Sequence, residues 1–233
     1  MTLVLYEMAG AEETRVFSPY CWRSRLALDH KGLAFHSVAV RFTNKSAIAA
    51  SGQDKLPVLA HDGLIVADSW AIAAYVEARF PDRPSLFGGA AGGALTRFHC
   101  DWVATVVHRA LFPLLAEGIL QRVSSADRAY LHDVRFPALG VRVEADADPA
   151  VLAAFRDCLA PVRATLAEQP FLGGERPLYA DHALFAAFQW ARTMSTVALL
   201  QPDDPIAAWR GRMTATLVPA SAALVYASNG EAR

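Results

Sequence analysis

The sequence predicts a small α/β domain followed by an all-helical one, and three observations carry that reading. Through residues 1–82, short apolar runs of strand length alternate with amphipathic segments. The stretch "FPDRPSLFGGAAGG" (80–93) then interrupts the pattern with its proline and glycine, so residues 83–93 read as a linker. From residue 94 to 233 helical periodicity is nearly continuous, with no β-branched alternation except in "GVRVEADADP" (140–149), which reads as a loop or insertion.

In chain order, "LVLY" (3–6) is an apolar strand. "FSPYCWRSRLAL" (17–28) opens a helix that "DHKG" ends, with Gly32 suited to a left-handed stop. "LAFHSVAV" (33–40) has strand composition, and a short helix is expected near 44–50. "LPVLA" and "LIVA", separated by "HDG", read as a hairpin. "DSWAIAAYVEARF" forms a helix over 70–80 with Trp70, Ala74, Val76 and Phe80 near one face, halted by Pro81. Helices are expected at 95–121, 125–134, 149–168, 181–200 and 205–217.

Composition narrows the function classes. At 54% hydrophobic and 19% charged, the 233-residue chain is built to pack. A net charge of −1 gives no electrostatic reason to expect nucleic acid or an anionic membrane as partner. No apolar stretch is expected to reach the ~20 residues of a membrane span, and "MTLVLYEMAGAEE" does not read as a signal peptide. Cys21, Cys100 and Cys158 are an odd, scattered set, which predicts reduced thiols and a cytoplasmic setting. No Cys/His grouping has ligand spacing, so no metal is expected.

Three short motifs bear chemistry. A proline at the start of a central strand removes a ladder donor, so Leu56-Pro57 predicts either a trans proline on an edge strand or a cis peptide. The cis form would turn the Leu56 backbone into a cleft, where it can pair with another peptide. Asp68-Ser69 heads a helix. It serves as an ordinary N-cap, as a site for an α-amino-acid head, or as both. Ser18-Pro19 is a complete N-cap and first-turn pair by itself, and the Ser18 hydroxyl can also face a bound thiol. An amino-acid head site, a strand-like amide pair and a thiolate-stabilising helix end together suit glutathione. Lys45 and Lys55 are basic candidates for its glycine carboxylate, with solvated surface lysines as the alternative.

"SPYCWRSRLAL", "KLPVLAHDG" and "ADSWAIAAYVEARFPDRPSLF" resemble, in order and spacing, the N-terminal domain of the glutathione transferases over residues 3–87. "SPYCWRSRLALDHKG" and "DSWAIAAYVEARFPDRP" are most similar to the serine-type, etherase-like group, which includes glutathione-dependent β-aryl etherases. "FLGGERPLYADHALFAAFQWA" and "DDPIAAWRGRM" extend the resemblance more weakly. It implies a thioredoxin-like domain with a mixed four-stranded sheet, glutathione as co-substrate, a homodimer, and a detoxifying transferase, with ether cleavage or peroxide reduction as further activities. It also implies roles. Ser18 would stabilise the thiolate, Leu56 before cis Pro57 would pair with the cysteinyl backbone, and Asp68 and Ser69 would hold the γ-glutamyl head. Asp181 would cap its helix, with Leu178 standing where the family has a hydroxyl residue, so that this helix is expected to be less firmly capped.

Where relatives carry cysteine in place of Ser18, disulfide chemistry results. Here Cys21 is the only nearby thiol, and it is expected to face the sheet as a small hydrophobe. The electrophile's walls are expected from Met8, Tyr20, Trp102, His108, Phe112, Trp190 and Met194, with His108 or Arg109 able to protonate or polarise a leaving group. Two rival readings are a non-catalytic binding protein of the same fold and a Cys21-dependent thiol-disulfide oxidoreductase.

Overall fold

The computed structural model describes residues 2–14, 16–143 and 148–217. Four strands form one mixed sheet: β1 (Leu3–Met8), β2 (Phe35–Val40), β3 (Val58–His61) and β4 (Leu64–Ala67), in the order β2-β1-β3-β4. β1 runs parallel to β2 and antiparallel to β3, and β3 pairs antiparallel with β4. The β3–β4 turn is tight because Asp62 and Gly63 both take positive φ, 48° and 86°, as a two-residue hairpin loop requires. Helix α1 (Pro19–His30) joins β1 to β2, and α2 (Ser69–Arg79) follows β4. The expected short helix after β2 is a 3₁₀ segment, Ser46–Ser51.

The buried face of α2 is Ser69, Ile72, Ala73 and Val76; Ala74, expected on the buried side, is exposed. Val76 is buried as expected and Trp70 and Phe80 pack half-buried against the core, while Ile72 and Ala73 take the place expected for Ala74.

The helical domain begins with a continuous helical run, α3 (Ala90–Gln121). It starts inside the stretch expected as linker, because Gly92 can sit against the Phe87 carbonyl where a Cβ would come within 2.0 Å of the oxygen. A π-helical turn, Val103–Val107, interrupts it before His108–Leu111. Contrary to the sequence expectation, this run is long and apolar enough by length and composition alone to cross a membrane. Half of its most apolar stretch is buried inside the fold, and Val103, Val107, Leu111 and Leu115 of the run are fully buried.

Next come α4 (Ser125–Tyr130), α5 (Pro149–Cys158), α6 (Ala160–Glu168), α7 (Tyr179–Met194) and α8 (Pro205–Leu217). The helix expected over 149–168 is two helices, because Pro161 in the first turn of α6 cannot donate to the α5 ladder. α7 ends at Met194 rather than residue 200. Ser195 is extended and its hydroxyl accepts the Val197 N–H, while Arg156 donates to the Ala198 and Leu199 carbonyls to hold the following loop. Of the stretch 140–149, residues 144–147 lie outside the described residues; Asp148 caps α5.

One apolar core runs through both domains. Leu26, Ala27 and Leu28 of α1 belong to it together with Ala183, Leu184 and Phe185 of α7. A second, smaller cluster of Val40, Ile48 and Val58 lies apart from it.

Candidate functional site

The sheet's register brings the three sequence motifs to one edge. β1 ends at Met8, and Met8 accepts the Phe17 N–H at its carbonyl, which sets Ser18 at the head of α1. Tyr6 at that end of β1 pairs with Val58, and Val58 pairs with Ala67. Leu56-Pro57, just before Val58, and Asp68-Ser69, just after Ala67, therefore lie at the same end of the sheet as Ser18. The Asp68 N–H donates to the Pro57 carbonyl at 3.2 Å.

Ser18 is extended, half-buried, and its Oγ accepts the Cys21 N–H at 3.5 Å, a long cap bond. Pro19 occupies the first turn. The Cys21 thiol faces the other way, is fully buried, and accepts the Met8 N–H at 3.2 Å. Burial, reinforced by the Glu7 charge, pushes this thiol up to about 12. A thiol so held is protonated and closed to attack.

The Leu56-Pro57 peptide is cis. Leu56 is half-buried and precedes the ladder positions of β3, which leaves its N–H and C=O outside the strand pairing. Asp68 has φ of +83°, an uncommon conformation for a residue with a side chain. It is exposed, and Oδ1 alone accepts both cap bonds, from Trp70 at 2.9 Å and Ala71 at 3.1 Å, so Oδ2 has no part in the cap. Ser69 is the first residue of α2 and buried, and its carbonyl accepts the Tyr179 hydroxyl at 2.8 Å across the domain boundary. Lys45 is half-buried and donates to the Asp54 carbonyl; burial lowers its affinity for the proton, partly offset by Asp54. Lys55 is exposed.

Of the expected electrophile walls, four form one aromatic run between the domains. Tyr20 meets His108 edge-on at 5.4 Å, His108 meets Trp190 at 5.8 Å, and Trp190 meets Phe112 at 5.2 Å. Phe136, which the sequence did not single out, continues it from Phe112 at 5.3 Å. The other three are placed differently. Met194 is fully buried and can only back the wall, Met8 is in the core against Cys21, and Trp102 lies against His99 at 5.4 Å. His108 is buried, and burial aided by the Arg23 charge keeps it neutral, well below the usual histidine range. It can donate or accept a hydrogen bond there but is no imidazolium acid. Arg109 is exposed.

Several residues that matter here carried no motif. Asp127 of α4 is fully buried and takes the Thr43 N–H and hydroxyl, each at 2.8 Å, tying the helical domain to the loop after β2. His182 and His30 meet at 3.2 Å where α7 crosses α1. Arg23, one turn beyond Tyr20, is buried with its guanidinium carbon 5.0 Å from the Tyr20 ring centroid. Asp181 is better served than its half-made capping box implied. Its carboxylate accepts the Leu172, Gly173 and Leu178 N–H groups at 2.7, 2.8 and 3.0 Å and the Trp209 indole at 2.9 Å.

Comparison with known proteins agrees with this fold. The family described as "Glutathione S-transferase, N-terminal domain" matches residues 14–84, and "Glutathione S-transferase, C-terminal domain" matches residues 94–218. The chain belongs to the glutathione S-transferase family. Glutathione S-transferase 1 of Dianthus caryophyllus is 36% identical over 74 residues, 30% of this chain and 34% of that protein. Probable glutathione S-transferase GSTU1 of Oryza sativa subsp. indica is 34% identical over 97 residues, 37% of this chain and 42% of that one. The matched stretches thus span less than half the length of these curated relatives. Among solved structures, glutathione transferase GSTFuA3 from Phanerochaete chrysosporium superposes with a TM-score of 0.82 at 22% identity, over 93% of this chain and 97% of that one. CsGST63524 of Ceriporiopsis subvermispora, solved in complex with glutathione, gives 0.81 at 20% identity over 94% and 100%. At those identities the glutathione S-transferase fold is what the two structures share. Among the described residues no group of three or more metal-ligating side chains occurs.

Proposed function

We propose that this glutathione S-transferase binds glutathione along the Ser18, Leu56 and Asp68-Ser69 edge, ionises its thiol at Ser18, and transfers it to an apolar or aromatic electrophile. The supporting observation is that one sheet end carries a hydroxyl at a helix N-terminus, an unpaired peptide edge and a second helix N-terminus with a free carboxylate oxygen. A free thiol of pKa about 8.5 is mostly protonated at neutral pH, and about two units of lowering are within reach of one hydroxyl hydrogen bond plus a helix dipole. The γ-glutamyl carboxylate lies at the Ser69 end of α2 and its ammonium at Asp68; Lys45 or Lys55 faces the glycine carboxylate. The thiolate sulfur attacks carbon, the new C–S bond forms, and the leaving group departs with the bonding pair. With an aryl ether that group is a phenolate, which takes a proton from water.

Etherase-type cleavage is the most specific version that the resemblance of "SPYCWRSRLALDHKG" and "DSWAIAAYVEARFPDRP" to the etherase-like group supports. The buried Cys21 disfavours the oxidoreductase alternative. Homodimerisation follows from the family resemblance, and Leu95 and Phe98, 72% and 74% exposed one turn apart on α3, offer it an apolar contact. The deciding experiment follows thiolate absorbance near ~240 nm against pH for protein saturated with glutathione. A bound thiol titrating well below its free value, restored to that value in Ser18→Ala, supports the transferase. Binding without a shift supports the non-catalytic reading.

A further inference from the structure

Arg23 is a cation 96% buried by its 4% exposure, and no carboxylate pairs with it among the described residues. The Tyr20 ring lies against its guanidinium at 5.0 Å. A ring can stabilise the face of a guanidinium, but the N–H groups lie in its plane, and there Nε and Nη2 have no hydrogen-bond partner among the described residues. His108, 7% exposed and edge-on to the same tyrosine, likewise has an unpartnered buried Nε2. The two come from opposite domains, Arg23 from α1 and His108 from α3, and the Arg23 charge is felt at His108. Buried donors without acceptors are costly, and an unpaired buried cation more so. Tyr20, 37% exposed, touches both and is the more exposed of the three.

We infer that Arg23 and His108 form an oxyanion subsite beneath Tyr20, and that the second substrate is an aromatic electrophile carrying a carboxylate. The subsite rests on the transferase reading of the cleft but makes a separate claim about charge. A carboxylate entering as the Tyr20 ring swings aside takes the planar guanidinium donors side by side and the His108 Nε2–H from the opposite wall. The ring of the same substrate then lies against Trp190 and Phe112, which continue the run from His108. The neutral state of His108 suits this role, because a neutral imidazole still donates one hydrogen bond.

The test compares 4-chloro-3-nitrobenzoate with its uncharged amide, which differ only at the carboxyl group. Binding of each is measured by calorimetry in the presence of S-methylglutathione, which cannot react, and turnover is measured separately with glutathione. The acid is expected to bind at least about tenfold more tightly than the amide, and Arg23→Gln to reduce the acid to the affinity of the amide. Arg23→Lys keeps the charge but loses the planar fork, and is expected to reduce the preference severalfold; it serves where the glutamine variant does not fold. Equal binding of acid and amide to the natural protein, or a preference unchanged in these variants, overturns the subsite. Absence of turnover with both compounds, despite preferential binding of the acid, would instead count against the transferase reading and leave the subsite standing.

Discussion

Ser18 and Cys21, three residues apart at the head of α1, point their side chains into different surroundings: the Ser18 hydroxyl stays half-exposed at the helix end, while the Cys21 thiol is buried under β1 on the Met8 N–H. The cap bond between them, from the Cys21 backbone N–H to the Ser18 side-chain Oγ, accompanies that division. Ser18→Ala should therefore lower kcat/KM about 10–100-fold with little change in glutathione affinity, as loss of one to two units of thiol activation requires. Cys21→Ala should retain activity while losing about 1–2 kcal/mol of stability, read from denaturant midpoints. An inactive but folded Cys21→Ala would reverse the assignment.

Asp68 acts twice if the site is as proposed, capping α2 through Oδ1 and holding an ammonium through Oδ2. Asp68→Asn keeps a capping oxygen and loses the charge. It should raise the KM for glutathione about tenfold or more while costing less than ~1 kcal/mol of stability, and a KM unchanged in steady-state kinetics would confine Asp68 to capping.

His182 and His30 give the domain junction a pH dependence. Burial, before the neighbouring charge, holds His182 well below and His30 below the ordinary histidine value. His30 is also bonded to the Ser85 backbone, whose carbonyl can only accept, so its Nδ1 receives the His182 Nε2–H. The unfolded chain takes up protons near pH ~6.5 and the folded one resists, so the pair's contribution is whole above that pH and is lost as pH falls below it. Asp29, raised to about 6 chiefly by burial, works in the opposite sense, because the folded state binds its proton more readily. The comparison is therefore between proteins: urea midpoints measured from pH ~7 to ~5 should fall less steeply for His182→Asn than for the natural chain.

Asp181 gathers three backbone donors and the Trp209 indole, joining the loop before α7, the first turn of α7 and α8. Asp181→Ala leaves all of them unpaired in the core and should cost at least about 3 kcal/mol, enough to lower Tm by several degrees in a thermal melt. A loss below ~1 kcal/mol would mean that water replaces the carboxylate.

Gly10 lies where the loop after β1 touches the helical domain. A Cβ there would stand 2.3 Å from the Arg122 carbonyl, the acceptor of the Ala11 N–H. Gly10→Ala should lower stability and glutathione turnover together, since this loop leads to Ser18, and melting and rate measurements on one preparation check it.

Much of this was legible in the sequence because it rests on local rules. Pro57 at a strand start, Asp68 at a helix start and Ser18 before Pro19 each signal themselves by what their backbone allows, and the succession of strands and helices along residues 1–82 follows from apolar runs and turn residues. Contacts made across the chain carried no such signal. Nothing in the spacing of Thr43 and Asp127, or of His30 and His182, indicates that folding joins them. Apolar composition also does not separate a wall from a core: Met194 and Trp190 are four residues apart on α7, and both are buried. Only Trp190 meets the aromatic run. Ala74 is misplaced for a related reason, since alanines at 71, 73 and 74 offer several apolar faces and the packing of α2 on α1 and the sheet selects one.

The wide turn at Val103–Val107 has a further consequence. A π turn spends one residue more than an α turn, so everything after it is rotated by about 100° relative to an uninterrupted helix. His108 and Phe112 therefore owe their place beside the cleft to phase as much as to identity. Removing a single valine from that turn would rotate both away from Trp190 without changing any residue of the aromatic run. One codon gained or lost in that turn would re-aim this wall while leaving every side chain in it unchanged.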